Sequence, residues 1–345
     1  MNSKMTDINL PSWASSNEAQ KSFELVRNLQ KSLAKSIHGL DLPFKEIQWL
    51  RDGGRHGGGN RLQAQEGGFF NRGSINVSQV HYDDKPNIPL SSATALSTIL
   101  HPDEPRHPSL HLHISYTQRK GEQGEWRLMA DLNPSQPSQL GGVFRKSLEL
   151  FNIEDGVDAF AQGDQYFWIP SRNRHRGISH FYLEAFNLPD FETELKFASD
   201  FGEKVILTYS SFLLKTLLGE NTSEERQRQL EYHSLYFFQV LLLDKGTTAG
   251  LLVHDQNDEG ILASLPSRVD FALLKKWTND LQGNQDQLLE KILALKKDDI
   301  VGIDTQLKLQ LAKIIRKHYK KFPDDLNHQS HGFKTTGPSN HLQTK

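Results

Sequence analysis

Two histidines share one face of a predicted strand in the segment HPDEPRHPSLHLHISYT, residues 101–117. In its SLHLHISY run, polar and apolar residues alternate strictly. Because successive side chains of a strand point to opposite faces, His111 and His113 lie on one face together with two serines. Leucine, isoleucine and tyrosine side chains occupy the other face. One face therefore packs on a core, and the other offers two imidazoles and two hydroxyls for chemistry.

Three interpretations of this polar face are open. It could belong to a half-exposed strand whose polar residues meet water. It could be a metal site, because H-x-H on a strand places two ligands on one side. The nearest acids, Glu122 and Glu125, lie in or near the turn RKGEQGE, a poor place for a third ligand. The third interpretation is a polar wall of a pocket for an anionic organic substrate.

Further polar residues could join this face. Ser97 lies in the run ALSTILHP, His101 begins a proline-rich turn, and Asp131 lies near the end of WRLMADLNP. Each lies in or next to a strand-like run, so each could line the same pocket.

A short basic segment, SRNRHRG at residues 171–177, contains Arg172, Arg174 and Arg176. Arginine suits paired recognition of carboxylates because its planar fork donates two parallel hydrogen bonds. The alternative is a solvated basic loop.

The stretch RDGGRHGGGNRLQ (51–63) is rich in glycine. It lacks the spacing of a phosphate-binding loop. The glycines could let the backbone bend or approach a ligand closely, or the segment could be a mobile surface loop.

Composition narrows the function class. The chain has 345 residues, a net charge of −2 and no cysteine. The nearly balanced charge does not indicate a basic surface for binding nucleic acid. The absence of cysteine excludes disulfides, thiolate metal sites and iron–sulfur clusters. We see no signal peptide and no apolar run near the roughly 20 residues needed to span a bilayer. We therefore expect a cytoplasmic protein without a membrane span or nucleic-acid partner.

Strand-like and helical segments are grouped in different parts of the chain. Periodicity predicts a helix from about 17 to 38, with capping-box spacing between Ser15 and Glu18. Short strand-like runs between 75 and 185 predict an antiparallel meander. After 189, Asp190 is a plausible helix N-cap.

The C-terminal half is predicted to contain both helices and buried strands. Thr222 and Glu225 have capping-box spacing before an amphipathic stretch. The runs LYFFQVLLLD (235–244) and LLVH (251–254) are predicted to be buried strands, and residues 284–321 two helices.

The order of several segments resembles the oxygen-dependent coproporphyrinogen III oxidase family. The matching landmarks, between about 57 and 267, are GGGNR (57–61), FFNRGSINVSQVH (69–81), the Leu-Ser-Ser-Ala-Thr and HP segments (90–102), HPSLHLHISY (107–116), ADLNP (130–134), RNRHRGI (172–178), FYLEAFNLPDF (181–191), LLLDKGTTAGL (241–251) and ILASLPS (261–267). Each is weak alone, and their shared order makes the match specific.

The resemblance implies a fold and an activity. The fold would be α+β, a large flat antiparallel sheet flanked by helices on both faces, in a homodimer. The activity would be oxidative decarboxylation of two propionates of coproporphyrinogen III to vinyl groups, giving protoporphyrinogen IX in haem biosynthesis. Dioxygen would be the electron acceptor, without an organic cofactor.

Domain limits combine the resemblance with the polar character of the two ends and the helical periodicity of residues 284–321. We predict a flexible N-terminus (1–14), a coproporphyrinogen oxidase-like domain (15–283), a helical C-terminal extension (284–322) and a disordered tail (323–345).

The resemblance also implies roles for residues of this chain that match the family's site residues by position. His111 matches the family's proton donor, and Asp131 matches an aspartate that would face the pyrrole nitrogens. Ser97 and His101 match residues ahead of the donor. The predicted catalytic residues are His111 and Asp131; the predicted substrate-binding residues are Ser97, His101, His113, Arg172 and Arg176. No metal site is expected, although His101 and His111 could contribute to one, because the family's two further histidines align near Phe144 and Ser171.

Departures from the family pattern leave a second function open. After the donor histidine the family has H-x-N-x-R, whereas here His113 replaces the asparagine and Ser115 the arginine. The family's T-G-G-R segment is replaced by VHDQND (253–258). A tetrapyrrole-binding or regulatory paralogue without activity is therefore the alternative.

Overall fold

A seven-stranded antiparallel sheet organises the protein, in the order β1-β2-β3-β4-β5-β6-β9. The computed structural model describes residues 10–40, 43–65, 67–152, 158–215, 219–253 and 256–330. Its strands are β1 (Lys45–Leu50), β2 (Gly57–Gln63), β3 (Phe70–His81), β4 (Leu90–Pro102), β5 (Ser109–Arg119), β6 (Glu125–Asn133), β7 (Trp168–Ile169), β8 (Arg174–His175), β9 (Ser179–Phe186), β10 (Arg268–Asp270) and β11 (Ile300–Gly302). The predicted meander and the α+β class are confirmed.

Residues 57–63 of the glycine-rich segment form strand β2 and residues 52–54 form a short 3-10 helix, so the interpretation of the whole segment as a mobile surface loop was wrong. A Cβ on Gly58 would lie 2.3 Å from the carbonyl oxygen of Trp49, and one on Gly59 would lie 2.5 Å from that of Val77. Gly57 has a φ of +90°, which L side chains rarely adopt. The glycines therefore let β2 fit between its two neighbouring strands.

Ten helices are found in the described part of the chain: α1 (Asn17–Ser36), α2 (Leu140–Leu148), α3 (Ala159–Phe167), α4 (Phe191–Leu213), α5 (Ser223–Leu242), α6 (Lys245–Val253), α7 (Asp258–Ile261), α8 (Phe271–Lys275), α9 (Gln285–Leu293) and α10 (Thr305–Lys321). The predicted capping box of Thr222 and Glu225 begins α5, and Asp190 caps α4. Helix α1 is capped by Ser16 rather than Ser15.

Helices cover both faces of the sheet. The even-numbered residues of β5, Leu110, Leu112 and Ile114, are fully buried in one hydrophobic core that includes α1 and α4. A second core, built mainly from α5 and the helices after it, lies on the opposite face. The polar residues of β5 face this second side.

Two predicted strands proved to be helices. The run 235–244 lies mostly in α5, and 251–253 ends α6; residue 254 lies outside the described residues. Every residue of α5 from Tyr232 to Leu242 is buried. A helix that is apolar on all sides has no amphipathic periodicity, so its sequence resembles a buried strand.

The helical extension is packed into the second core. Strand β11 pairs with β10, with Val301 opposite Val269, and α10 contributes buried residues such as Leu311. Of the predicted tail, Pro323–His328 forms a short 3-10 helix, and residues 331–345 lie outside the described residues. Of the predicted flexible N-terminus, residues 1–9 lie outside the described residues, and the amide of buried Ala14 donates to Gln79 Oε1 at 2.9 Å.

Two apolar runs of the sequence, FFQVLLL (237–243) and FLLKTLL (212–218), are candidates for the hydrophobic interface of the homodimer that the resemblance implies. FFQVLLL (237–243) is buried within its own chain, so that expectation was wrong for this run. In FLLKTLL (212–218), Phe212 and Leu213 are buried and Leu214 is 63% exposed, while residues 216–218 lie outside the described residues. Among the described helices, none is long and apolar enough to cross a membrane.

Candidate active site

A cavity of about 300 Å³ lies between the polar face of the sheet and the helices α5 to α7. This volume is at the lower end of the usual range for small-molecule sites. Residues from β3 to β6 form its floor, including Asn76, Ser97, His111, His113 and Arg127. Its roof includes the residues Tyr236, Val240, Thr247, Gly250, Asn257 and Gly260.

Strict alternation in β5 sets the floor of the cavity. Residues 111, 113, 115 and 117 are half-buried, whereas the residues between them are buried on the opposite face. Each odd residue lies opposite a residue of β6: His111 opposite Asp131, and His113 opposite Met129. The sequence prediction that His111 and His113 share one face is confirmed.

Asp131 connects the two groups best suited to proton and anion chemistry. Its Oδ1 lies 2.7 Å from Nδ1 of His111, and its Oδ2 accepts a hydrogen bond from Arg176 Nη2 at 2.9 Å. The side-chain amide of Asn133 also donates to Oδ2. All three partners act as donors to the same carboxylate, which leaves Nε2 of His111 as the ring nitrogen without a hydrogen bond to the described residues.

Electrostatics keep this carboxylate ionised. Asp131 is fully buried, and burial alone would raise its pKa. Arg176 and His111 outweigh burial and hold the pKa well below its usual range. Burial tends to lower the pKa of Arg176, but Asp131 and nearby tyrosines raise it above its usual value. The result is a stable ion pair beneath the cavity.

Aromatic rings fix the guanidinium of Arg176. Its Cζ lies 4.5 Å from the ring centre of Phe167 and 4.9 Å from that of Tyr236. Such cation–π contacts restrain the plane of the guanidinium and suit a low-polarity surrounding. Arg176 lines the cavity although its side chain is only 2% exposed.

Asp131 itself does not border the cavity within the described residues. The family resemblance implied that Asp131 faces pyrrole nitrogens, whereas both its oxygens accept hydrogen bonds from protein donors. In this arrangement its carboxylate holds His111 and Arg176 in place.

His113 belongs to a second hydrogen-bond chain on the floor. Its Nδ1 lies 2.9 Å from Ser97 Oγ on β4, and its Nε2 lies 3.0 Å from Ser115 Oγ. Ser97 pairs with His113 across the strands. The structure thus places Ser97 of β4 beside His113 and Ser115, on the polar face of β5 that the alternation predicts.

His101 does not join them. It is buried, its Nδ1 contacts Ser109 Oγ at 2.9 Å, and its Nε2 contacts the carbonyl of Ser264 at 3.2 Å. Burial, with His233 nearby, lowers the pKa of His101 well below its usual value, so the ring is neutral.

Among the described residues, no three His, Asp or Glu side chains come close enough to hold a metal ion.

The basic segment 171–177 separates into different roles. Arg176 enters the site, Arg174 is exposed, and Arg172 lies with its Cζ 4.7 Å from the ring centre of Trp277. Arg172 is not among the residues that line the cavity within the described chain. The sequence predicted both Arg172 and Arg176 for substrate binding, and only Arg176 borders the cavity.

Comparison with known proteins identifies the family. The sequence profile of coproporphyrinogen III oxidase matches residues 21–298. The chain belongs to this family. It is 27% identical over 243 residues to the oxygen-dependent coproporphyrinogen-III oxidase of Rickettsia akari (strain Hartford), covering 66% of this chain and 85% of the relative. The enzyme of the same name from Rickettsia bellii (strain OSU 85-389) is 27% identical over 244 residues, with the same coverage.

The coproporphyrinogen oxidase fold also reveals an arginine that sequence reasoning missed. Arg127 on β6 lines the cavity and lies directly opposite Ser115, the position where the family pattern has an arginine on β5. Its Nη2 donates to Glu184 Oε1 at 3.1 Å. Burial would lower the pKa of Arg127, but nearby Tyr182 and Glu184 raise it. Counting back from Asp131 in steps of two along β6 would have placed Arg127 on this face.

Tyr166 and Asp244 are two further lining residues without a sequence prediction. The Tyr166 hydroxyl donates to Asp244 Oδ1 at 2.6 Å. Burial and the charge of Asp244 raise the pKa of Tyr166 well above its usual value, so the hydroxyl stays protonated. Tyr166 and Asp244 are 78 residues apart in the chain, so the tertiary fold, and not their spacing in the sequence, brings them together at the cavity.

The C-terminal extension holds the roof of the cavity. Arg316 of α10 donates from Nε to the carbonyl of Leu251 in α6 at 2.5 Å and from Nη1 to Asp258 Oδ2 in α7 at 2.8 Å. One side chain therefore links the extension to both ends of the α6–α7 connection.

Proposed function

We propose that the protein catalyses the oxygen-dependent oxidative decarboxylation of coproporphyrinogen III to protoporphyrinogen IX, a step of haem biosynthesis. The observation that carries this proposal is the buried Asp131, which orients His111 and Arg176 at the wall of a polar cavity. Membership of the coproporphyrinogen oxidase family, and relatives named for this reaction, support the choice of substrate.

The cavity offers partners for a substrate that carries carboxylates. Arg176 and Arg127 each present a guanidinium at the β6 side of the floor. Charge-assisted hydrogen bonds from arginine to carboxylate are among the stronger polar contacts in proteins. Ser97 and His113 add further hydrogen-bonding groups beside them. Two arginines beside the proton-transfer group favour a bound propionate at the reacting position.

The proposed chemistry balances with dioxygen as the oxidant. Each reacting propionate loses its carboxyl carbon as CO₂, and the electron pair of the broken C–C bond forms the vinyl double bond. The hydrogen on the neighbouring carbon leaves with two electrons, and with one added proton these reduce one dioxygen to hydrogen peroxide. We propose no organic cofactor for this step, as the resemblance implies, and no metal, because only His101 and His111 remain of the four histidines at the matching family positions.

His111 is the residue proposed to supply that proton. Its Nδ1 is held by Asp131 and its Nε2 is the nitrogen left for the substrate or dioxygen. Histidine exchanges protons near neutral pH, and loss of a general acid or base usually lowers a rate about 10²-fold or more. His111→Ala should therefore lower turnover by at least that factor.

The test is an assay started by oxygen. Purified protein is mixed with coproporphyrinogen III under nitrogen, oxygen is admitted, and the products are oxidised to porphyrins and separated by chromatography. We expect the two-carboxylate product to accumulate only after oxygen is admitted. Binding of the substrate without any product would refute the enzymatic proposal in favour of a tetrapyrrole-binding protein, and full activity of His111→Ala would refute the assigned role.

A further inference from the structure

A buried arginine lies beside the cavity, at the opposite end of the floor from Arg127 and Arg176, and does not itself border the cavity within the described residues. Arg61 is on β2, pairs across the strands with the cavity-lining Asn76, and is only 2% exposed. Its guanidinium has no hydrogen-bond or ion-pair partner among the described residues, and its Nε is fully enclosed. A buried unpaired cation is costly, so a folded protein usually supplies a counter-ion.

The guanidinium lies against the roof of the cavity. Nη1 of Arg61 would be 2.5 Å from a Cβ added to Gly260, a residue that borders the cavity. Glycine at this position therefore leaves the room that Arg61 occupies. Trp49, which also lines the cavity, has an enclosed indole N–H that finds no acceptor among the described residues. Two unsatisfied donors thus lie at the same end of the site.

Neighbouring charges make this end more positive. Lys308 on α10 is 2% exposed, and burial together with Arg72 and Arg61 lowers its pKa to about 8. Among the described residues, the acids that act on these cations are Glu259, which attracts both Arg61 and Lys308, and Asp304, whose carboxylate caps α10 by accepting from the Leu307 amide. Within the described part of the chain, Arg61 and Lys308 therefore share Glu259, while Asp304 is already engaged as a helix cap.

We propose that Arg61, supported by Lys308, binds a second carboxylate of the cavity's ligand, at the end of the floor away from Arg127 and Arg176. This inference rests on the proposed function, because it assumes a ligand with acidic groups on opposite edges. Strands β2 and β6 are four strand spacings apart, about 19 Å between backbones. Long arginine side chains reaching inward from both ends would span a broad, flat, multiply charged molecule.

A binding titration tests the inference without relying on turnover. The probes are coproporphyrin III, which carries four carboxylates, and its uncharged tetramethyl ester, each followed by fluorescence. Arg61→Gln should weaken coproporphyrin III binding by about 10-fold or more, because a charge-assisted contact is lost. It should leave ester binding unchanged. Arg268→Gln, an exposed arginine that does not line the cavity, is the matched control for the loss of one positive charge.

Two further variants separate binding from folding. Glu259→Gln removes the nearest acid and should tighten coproporphyrin III binding. Arg61→Met should melt at the same or a higher temperature than wild type in the absence of ligand, since an unpaired buried cation is removed. A structural role for Arg61 predicts the opposite, a lower melting temperature.

The possible results are distinct. If Arg61→Gln binds coproporphyrin III as tightly as wild type, the inference fails while the proposed function stands. It also fails if Arg61→Met is destabilised and loses affinity for the acid and the ester equally. If wild type neither binds coproporphyrin III nor converts coproporphyrinogen III, the proposed function fails and the inference with it.

Discussion

Replacing Asp131 by asparagine tests the centre of the site, because the two side chains have the same shape but different hydrogen-bonding capacity. His111, Arg176 and Asn133 all donate to the Asp131 carboxylate. An amide has one oxygen and one NH₂ group, so in either orientation the NH₂ group of the variant would face a donor. Arg176, 2% exposed, would lose its counter-charge.

The expected effect on stability is large. Breaking a buried ion pair by removing one partner typically lowers the free energy of unfolding by about 3–5 kcal/mol. Asp164 provides the matched control: it contacts His180 Nδ1 at the same distance of 2.7 Å as Asp131 contacts His111, but its side chain is 44% exposed. An exposed pair contributes only about 0–1 kcal/mol, so Asp164→Asn should be nearly neutral.

The pH dependence has a definite sign. The folded-state pKa of Asp131 is depressed, so its contribution is fully present above the unfolded pKa, about 3.9, and is lost as pH falls through the folded value. Urea unfolding of wild type and Asp131→Asn should therefore differ by the same amount at pH 7 and pH 5, and by less below about pH 4. If Asp131→Asn and Asp164→Asn lower the free energy of unfolding equally, burial does not make the Asp131 ion pair contribute more to stability than an exposed pair, and the argument is refuted. Turnover of Asp131→Asn should fall about 10²-fold or more, because the imidazole is no longer held in place.

Three further outcomes are expected. His113→Asn should retain turnover close to wild type in steady-state assays, because an amide can still contact Ser97 and Ser115; a loss as large as that of His111→Ala would contradict the separation of their roles. Arg127→Gln should raise KM about 10-fold or more with a smaller change in kcat, since one carboxylate partner is lost; an unchanged KM would argue against substrate contact. The protein is proposed to be a homodimer, and sedimentation velocity that finds only monomer at micromolar concentration would contradict this.

The sequence predicted the sheet better than the helices above it. Strands β3 to β6 and β9 each have one face on the α1–α4 core, so alternation and turn residues revealed them. Helix α5 was mistaken for a strand because both the cavity side and the far side of the helix are enclosed, which removes the polar stripe that identifies a helix. Its capping box, a local signal, was nevertheless found correctly. A helix cap depends on residues a few positions apart and can be predicted from the sequence. Burial of a helix on all sides depends on elements distant in sequence and cannot be predicted in this way.

The same distinction explains the arginines of the site. His111 and His113 were predictable because alternation within one strand decides which side they share. Arg127 and Arg61 depend instead on strand register, which aligns Arg127 with Ser115 and Arg61 with Asn76. The sequence indicated that a family arginine was missing at Ser115, and reasoning along one strand could only count this as a loss of charge. Across the sheet, the neighbouring strand supplies a guanidinium at the same level of the cavity. The charge of a binding site is therefore a property of cross-strand rows, so a substrate-site residue absent from its usual strand is informative only after the facing residue has been considered.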